Sequence, residues 1–281
     1  MPGSTENHDG KRKSVSEDYA RAVQSPPSSC CCSPVPKGVA AKLAGYTSEE
    51  VATLPAEAVV NSFGCGNPLA FSEVQPGDVV LDLGSGAGID LLLAAKKVGN
   101  KGRVIGVDMT DAMIAKARGN VAAAGLSNVE VRKGIIENLP VEAGSVDWVI
   151  SNCVINLSPE KQLVFAEIAR VLKPGGRMLV SDMVAEDLPA EIAGNRRLYS
   201  SCLAGAIPEH AYLDGLRQAG LVDVEVKDRL VYDTAQVEAF IGSELQEDCC
   251  GGSGGDLAKR WAPPLQGKVA SVKVAARKPG P

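Results

Sequence analysis

Two sets of residues in this 281-residue chain could do chemistry. The first is contiguous: Leu81-Asp82-Leu83-Gly84-Ser85-Gly86-Ala87-Gly88. Glycines at this density let the backbone approach a ligand where side chains would block it. Asp108 follows 20 residues after Gly88, a spacing at which a carboxylate can accept hydrogen bonds from ribose hydroxyls. The loop reads G-x-G-x-G behind an acidic residue, not the G-x-G-x-x-G of dinucleotide sites, and no Gly-Lys-Ser/Thr follows to make a P-loop. Asp82 would repel a pyrophosphate but suits a ligand bearing an ammonium and a sulfonium.

The second set is dispersed. Of eight cysteines, Cys65 lies in Phe63-Gly64-Cys65-Gly66-Asn67-Pro68, Cys153 in Ser151-Asn152-Cys153-Val154-Ile155-Asn156-Leu157-Ser158, and Cys202 in Cys202-Leu203-Ala204-Gly205. Their separation excludes a zinc ribbon or finger. Three convergent thiolates would suit a soft, thiophilic centre that keeps a lone pair, and trivalent arsenic is one. Such a lone pair could attack a sulfonium methyl with no general base, which fits a chain whose only histidines are His8 and His210. Each cysteine alone could also be a small buried hydrophobe. Asn152 and Asn156 flank Cys153, where shaping a substrate site competes with capping a turn.

Composition narrows the classes further. A formal charge of −5 with mixed signs, and 4% aromatics, argue against a nucleic-acid surface or an anionic membrane. No run approaches the ~20 apolar residues of a membrane helix, and the polar N-terminus lacks a secretory leader, so a cytoplasmic setting is expected. There, eight cysteines point to metal or redox chemistry rather than a static disulfide framework.

The elements that must position these residues follow from hydrophobic patterning. Continuous apolar runs predict buried parallel strands at 79–83, 103–108, 129–133, 146–151 and 177–181. Helical patterns fall between them at 89–98, 111–124 and 158–172, the last closed by Lys173-Pro174-Gly175-Gly176. This alternation predicts an α/β fold: a Rossmann-like, doubly wound, mostly parallel sheet with helices on both faces. Helical segments around 190–204 and 208–219, and strands at 223–227 and 269–274, then make a small C-terminal α+β appendage. The expected organisation is a flexible segment 1–36 with the Cys30-Cys31-Cys32 triplet, a cofactor domain 37–187, and a capping region 188–281 containing a flexible Cys249-Cys250-Gly251-Gly252-Ser253-Gly254-Gly255 stretch.

From Asp78 to Val184 the glycine loop, Asp108, the Ile135-Ile136-Glu137 turn and the Lys-Pro-Gly-Gly segment resemble S-adenosylmethionine-dependent methyltransferases. The resemblance implies that Asp82, Gly84, Ser85 and Gly86 border the methionine end of that cofactor. It places the ribose at Asp108, the adenine against Met109, Ile136 and Glu137, and Asn152 beside the donor. With the three cysteine segments included, residues 30 to 228 resemble the arsenite S-adenosylmethionine methyltransferases. That implies arsenite and methylarsenite as substrates, arsenic(III) carried by Cys153 and Cys202 with help from Cys65, and a fourth thiol at Cys32 or Cys31. It further implies disulfides that form and are reduced during turnover, with thioredoxin or glutathione as the external thiol reductant. No nucleic-acid or membrane partner is expected, and a monomer is.

Two other classes compete: methylation of a small organic acceptor (a quinone, sterol or amine), and a non-catalytic thiol-rich metalloid binder. Few aromatics weigh against the first, and the intact loop with Asp108 against the second.

Overall fold

The computed structural model describes residues 5–24, 54–55, 67, 69, 72–245 and 253–281. Cys30, Cys31, Cys32, Cys65, Cys249 and Cys250 lie outside the described residues.

Seven strands form one sheet in the order β3-β2-β1-β4-β5-β7-β6. They are β1 Val79–Leu83, β2 Arg103–Asp108, β3 Val129–Lys133, β4 Val146–Asn152, β5 Leu172–Ala185, β6 Val222–Val231 and β7 Val269–Arg277. The first five are parallel, and β7 runs antiparallel to both of its neighbours, β5 and β6. The chain order reverses beside β1, between β2 and β4, so a crevice opens there above the strand C-termini. The doubly wound sheet expected from the apolar runs is therefore present, and the C-terminal α+β segment extends it through β7 and β6.

Burial on both faces explains why β1 is apolar at every position but Asp82. Leu81 and Leu83 join a core cluster with Ile105, Val107, Val149 and the helix residues Phe165 and Ile168, while Val80 joins a second cluster with Val104, Ile150, Leu91 and Leu93. Each such fully buried side chain contributes about 1.5–3 kcal/mol. Helices α2 Ile89–Val98 and α3 Asp111–Ala123 follow β1 and β2, and α4 Lys161–Val171 precedes β5. In α4, Val164, Phe165, Ile168 and Val171 are all buried, the apolar stripe of an amphipathic helix.

Several boundaries differ from expectation. Helix α4 starts at Lys161 rather than at 158, because Ile155–Leu157 form a 3-10 turn and Ser158 uses its hydroxyl to accept from the Glu160 N–H at 3.0 Å. Strand β5 extends from 172 to 185 through the Lys-Pro-Gly-Gly segment, and the register against β4 breaks between Val146 and Trp148 to absorb it. The expected helical stretch 190–204 is two short helices, α5 Ala190–Ala193 and α6 Arg196–Ser200. Asn195 breaks them apart, its side chain accepting from the Leu198 N–H at 3.1 Å. Helix α7 Glu209–Gln218 matches its apolar pattern, and α8 Thr234–Leu245 was not anticipated. Helix α9 Ser253–Trp261 begins inside the glycine-rich stretch read as flexible, since Ala258 and Trp261 are buried with Val237 and Ile241 of α8.

The largest departure is at the start of the chain. Thr5–Gln24, read as poorly ordered, is the 20-residue helix α1. Nine of its twenty residues are strong helix formers (Ala, Arg, Lys, Gln and Glu), and Ser25-Pro26-Pro27 follows its end. Only Val15 on it is fully buried and apolar, so no hydrophobic stripe announces it; polar contacts hold it instead.

Candidate functional site

The loop after β1 takes left-handed backbone at every second residue, with φ of 64° at Gly84, 52° at Gly86 and 92° at Gly88. Such angles strain any residue with a Cβ. At Gly84 the side of the loop also has no room, because a Cβ would collide with Val154. Gly84 and Ser85 both donate their N–H to the Val107 carbonyl, at 2.8 and 3.1 Å, which fixes the loop on the end of β2.

Asp108 organises the opposite wall. Its Oδ2 accepts from the Gly86 N–H at 2.9 Å and its Oδ1 from the Thr110 N–H at 2.8 Å. Burial raises its pKa above the usual carboxylate value, and those N–H donors oppose the rise. Asp82, 2% exposed in β1, is raised further, by burial first and then by the charges of Asp90 and Asp108. Three carboxylates thus converge at one crevice, an arrangement that favours a cationic ligand.

Gly84, Ser85, Gly86, Asp108, Met109, Ile136, Glu137 and Asn152 line a single cavity at this crevice. Asp82 does not reach its wall. The Ser85 hydroxyl is buried at the cavity without a hydrogen-bond partner among the described residues, which leaves a donor for a ligand. These features fit S-adenosylmethionine: room for backbone approach at the glycines, acceptors for a ribose at Asp108, and negative charge for an ammonium and sulfonium.

Residues not anticipated from the sequence share this cavity. Asp90 stands in the first turn of α2, and the Asn152 amide donates to it at 3.5 Å. Its position two residues after Gly88 was the available signal. From α1, Arg12, Val15 and Tyr19 line the same cavity, with Arg12 against Glu137. The Arg12 guanidinium donates to Glu137 at 3.1 Å and to Glu160. The Glu137 carboxylate also accepts from the Ser158 hydroxyl at 2.6 Å. The spacing 12, 15, 19 places these residues on one helix face, where Val15 and Tyr19 are the apolar members and Arg12 the polar one.

Cys153 and Cys202, 49 residues apart in sequence, meet beside the same cavity. The Cys202 thiol donates to the Cys153 carbonyl at 2.6 Å. Both adopt left-handed backbone, φ 59° and 73°, and both are at least 97% buried, in one cluster with Met109 and Met183. Cys153 follows the last residue of β4, at the strand edge the sequence indicated, and its N–H donates to the Ser181 carbonyl at 2.8 Å. Cys202 sits in the turn after α6 rather than on a helix face. Cys153 is disulfide-bonded, and Cys202 is a free thiol. Burial pushes the Cys202 thiol pKa well up, the Asp182 and Glu244 charges add to it, and Lys161 opposes them. The expected ligand Cys65 and the fourth thiol at Cys32 or Cys31 lie outside the described residues.

A buried polar knot underlies the pair. The Asn156 amide donates to Asp182 Oδ1 at 2.8 Å and to the Met183 carbonyl at 2.6 Å. The Met183 N–H and the Tyr212 hydroxyl also donate to Asp182, at 2.9 and 3.4 Å. Lys161 Nζ donates to the carbonyls of Asn156 and Ser158 at 3.2 and 2.9 Å. Gly205 packs so closely on the Asn156 carbonyl that a Cβ would collide with it, so the turn after Cys153 and the turn after Cys202 are pressed together. Burial brings Asp182 up to about 7 and Lys161 down to about 8.

This sheet order, with a glycine loop after β1 and a carboxylate ending β2, defines the methyltransferase class of Rossmann-like folds. Comparison with known proteins agrees. The family model described as "Methyltransferase domain" matches residues 75–238. The arsenite methyltransferase of Halobacterium salinarum is 47% identical over 70% of this chain and 50% of its own length. That of Aquipseudomonas alcaligenes is 35% identical over 85% of this chain and 68% of its own. The crystal structure of an arsenic(III) S-adenosylmethionine methyltransferase from Chlamydomonas reinhardtii superimposes with a TM-score of 0.59 at 32% identity, covering 88% of this chain and 75% of that one. The chain therefore belongs to the arsenite methyltransferase family of methyltransferase-domain proteins. It spans about half the length of several curated relatives that it matches, the human and mouse arsenite methyltransferases among them.

Proposed function

We propose that this protein transfers methyl groups from S-adenosylmethionine to trivalent arsenic held by cysteine thiolates, leaving methylated arsenicals and S-adenosylhomocysteine. The observation that carries the reading is the contact of Cys202 with Cys153 at the edge of the donor cavity. When bound, S-adenosylmethionine supplies an electrophilic sulfonium methyl. The crevice carboxylates Asp82, Asp90 and Asp108 favour its cationic end, while Gly84 and Gly86 leave space for it.

Arsenite enters by ligand exchange: each thiol replaces one hydroxyl of As(OH)3 and one water leaves, the thiol proton going to the departing hydroxyl. Cys153 and Cys202 hold two of the three bonds, and we assign the third to Cys65. The arsenic lone pair forms the new As–C bond, and the pair of the broken S–C bond stays on the donor sulfur. Methylation in this way takes arsenic formally from +3 to +5, so two electrons must return before another round. Protein thiols supply them by forming a disulfide, and an external dithiol or glutathione then reduces it; a reducing, cytoplasmic setting follows. The disulfide at Cys153, with Cys202 left free, is the kind of state such a cycle passes through. With the Tyr and Phe content so low, a cleft for a bulky organic acceptor has little support.

The test is direct: reduced protein, methyl-labelled S-adenosylmethionine, arsenite and a thiol reductant. Label appearing in methylarsenicals is expected. Label that stays in the donor, or goes only to an organic acceptor, overturns the reading.

A further inference from the structure

Helix α1 touches both halves of the site at once. On the donor side, Arg12 binds Glu137 and Glu160, and the Ser16 hydroxyl pairs with that of Thr110 at 3.2 Å. On the thiol side, the Asp18 carboxylate accepts from the Ser200 hydroxyl at 2.8 Å and from Arg196 at 3.3 Å. Lys11 Nζ stands 5.2 Å from the centroid of the Tyr199 ring. These partners belong to α6, whose turn ends in Cys202: the Cys202 N–H donates to the Tyr199 carbonyl at 3.0 Å. The Tyr199 hydroxyl in turn donates to the Leu157 carbonyl at 3.1 Å, in the turn after Cys153. Between the two sets, Tyr19 lines the donor cavity and packs with the cluster that contains both cysteines.

We propose that α1 is a clamp in which Arg12 and Asp18 act as positioning residues, fastening the donor cavity to the Cys202 turn so that occupation of one site orders the other. Arg12 pulls the helix onto the cavity at Glu137. Asp18 then carries the ordering to Ser200, two residues before Cys202. Neither residue touches the reacting atoms. Coupling of this kind is reciprocal, so a ligand on the thiols must tighten donor binding by the same factor that the donor orders the thiols. The role of Cys202 as arsenic carrier is taken from the proposed function; the mechanical link is not.

Peptide-resolved alkylation of Cys202 by iodoacetamide, in the reduced full-length protein with and without S-adenosylhomocysteine, tests the clamp. The product should slow Cys202 alkylation about 5-fold or more. Asp18→Ala and Ser200→Ala, which cut the same contact from opposite sides, should still bind S-adenosylhomocysteine but lose most of that protection. Asp18→Asn, which keeps an acceptor for Ser200, should restore part of it. Wild-type protection in both alanine variants overturns the clamp, since simple shielding by the product would leave them unchanged. Failure of the wild type to methylate arsenite would instead bring down the functional reading, and the alkylation result would stand by itself.

Discussion

The thiol of Cys202 lies 2.6 Å from the backbone carbonyl of Cys153. That contact joins a turn at the end of a central strand to a turn in the C-terminal cap. Sequence separation says nothing about it, and the left-handed backbone at both residues creates it. Left-handed backbone costs about 1–3 kcal/mol at a residue with a side chain. The surrounding knot of Asn156, Asp182 and Gly205 holds both turns in place against that cost.

Replacing either thiol should separate binding from chemistry. Cys153→Ser and Cys202→Ser should each abolish label transfer to arsenite while S-adenosylhomocysteine affinity, measured by calorimetry, stays within about twofold, because neither side chain lines the donor cavity. Turnover retained in both variants would remove the carrier role.

The knot beneath the thiols gives a second prediction. Asn156→Ala deletes two buried donors and leaves Asp182 and the Met183 carbonyl short of partners, a loss of about 1–3 kcal/mol. Steady-state kinetics should show the KM for arsenite rising about tenfold or more, with the KM for S-adenosylmethionine changing much less. An equal rise in both would assign Asn156 a general structural role instead.

The glycine loop and its carboxylate partner were legible because backbone chemistry dictates them. Gly84 and Gly86 must be glycine at positive φ, and Asp108 must end its strand to meet the Gly86 N–H, so a contiguous stretch of sequence carries the information. Cys153 was placed correctly at a strand end, whereas its meeting with Cys202 had to be taken from family likeness. Asp182 falls just past the strand expected at 177–181 and Lys161 inside the helix expected at 158–172, where nothing in the sequence singles either out; the fold buries them. Helix α1 was missed because its docking face is Arg12, Ser16 and Asp18 around a single Val15, a pattern with no hydrophobic period.

Glycine geometry at the donor loop is testable by stability. Gly84→Ala combines left-handed strain with a collision against Val154, and should cost about 2 kcal/mol or more in urea unfolding. Gly119→Ala, in helix α3 with open space around its Cβ position, should be neutral or slightly stabilising in the same assay.

Asp182 should leave a signature in the pH dependence of stability. Its folded-state pKa of about 7 lies above the ordinary carboxylate value, so the folded chain holds this proton more tightly than the unfolded one. Its contribution is complete below about pH 4 and is lost as pH rises through 7. Asp182→Asn keeps groups that can pair with Asn156, Met183 and Tyr212, and its melting temperature should fall less than that of the wild type between pH 5 and pH 8. Lys161 works in a different window: its pKa is lowered to about 8, so its contribution is present above about 10.5 and lost as pH falls through 8. Removing the Asp182 charge should also let the Cys202 thiol ionise at lower pH, read from its alkylation rate.

The placement of β7 between β5 and β6 has a consequence for the order of synthesis. Both of its neighbours leave the ribosome earlier, and neither pairs with the other. Until residues 269–277 emerge, β5 presents a bare edge along the nine residues 177–185 that β7 will pair, and β6 has no sheet to join. Long unpaired edges invite pairing with other chains. Chains stalled or cut before Val269 should therefore aggregate through β5, although every residue of the donor cavity and both described thiols have already been made.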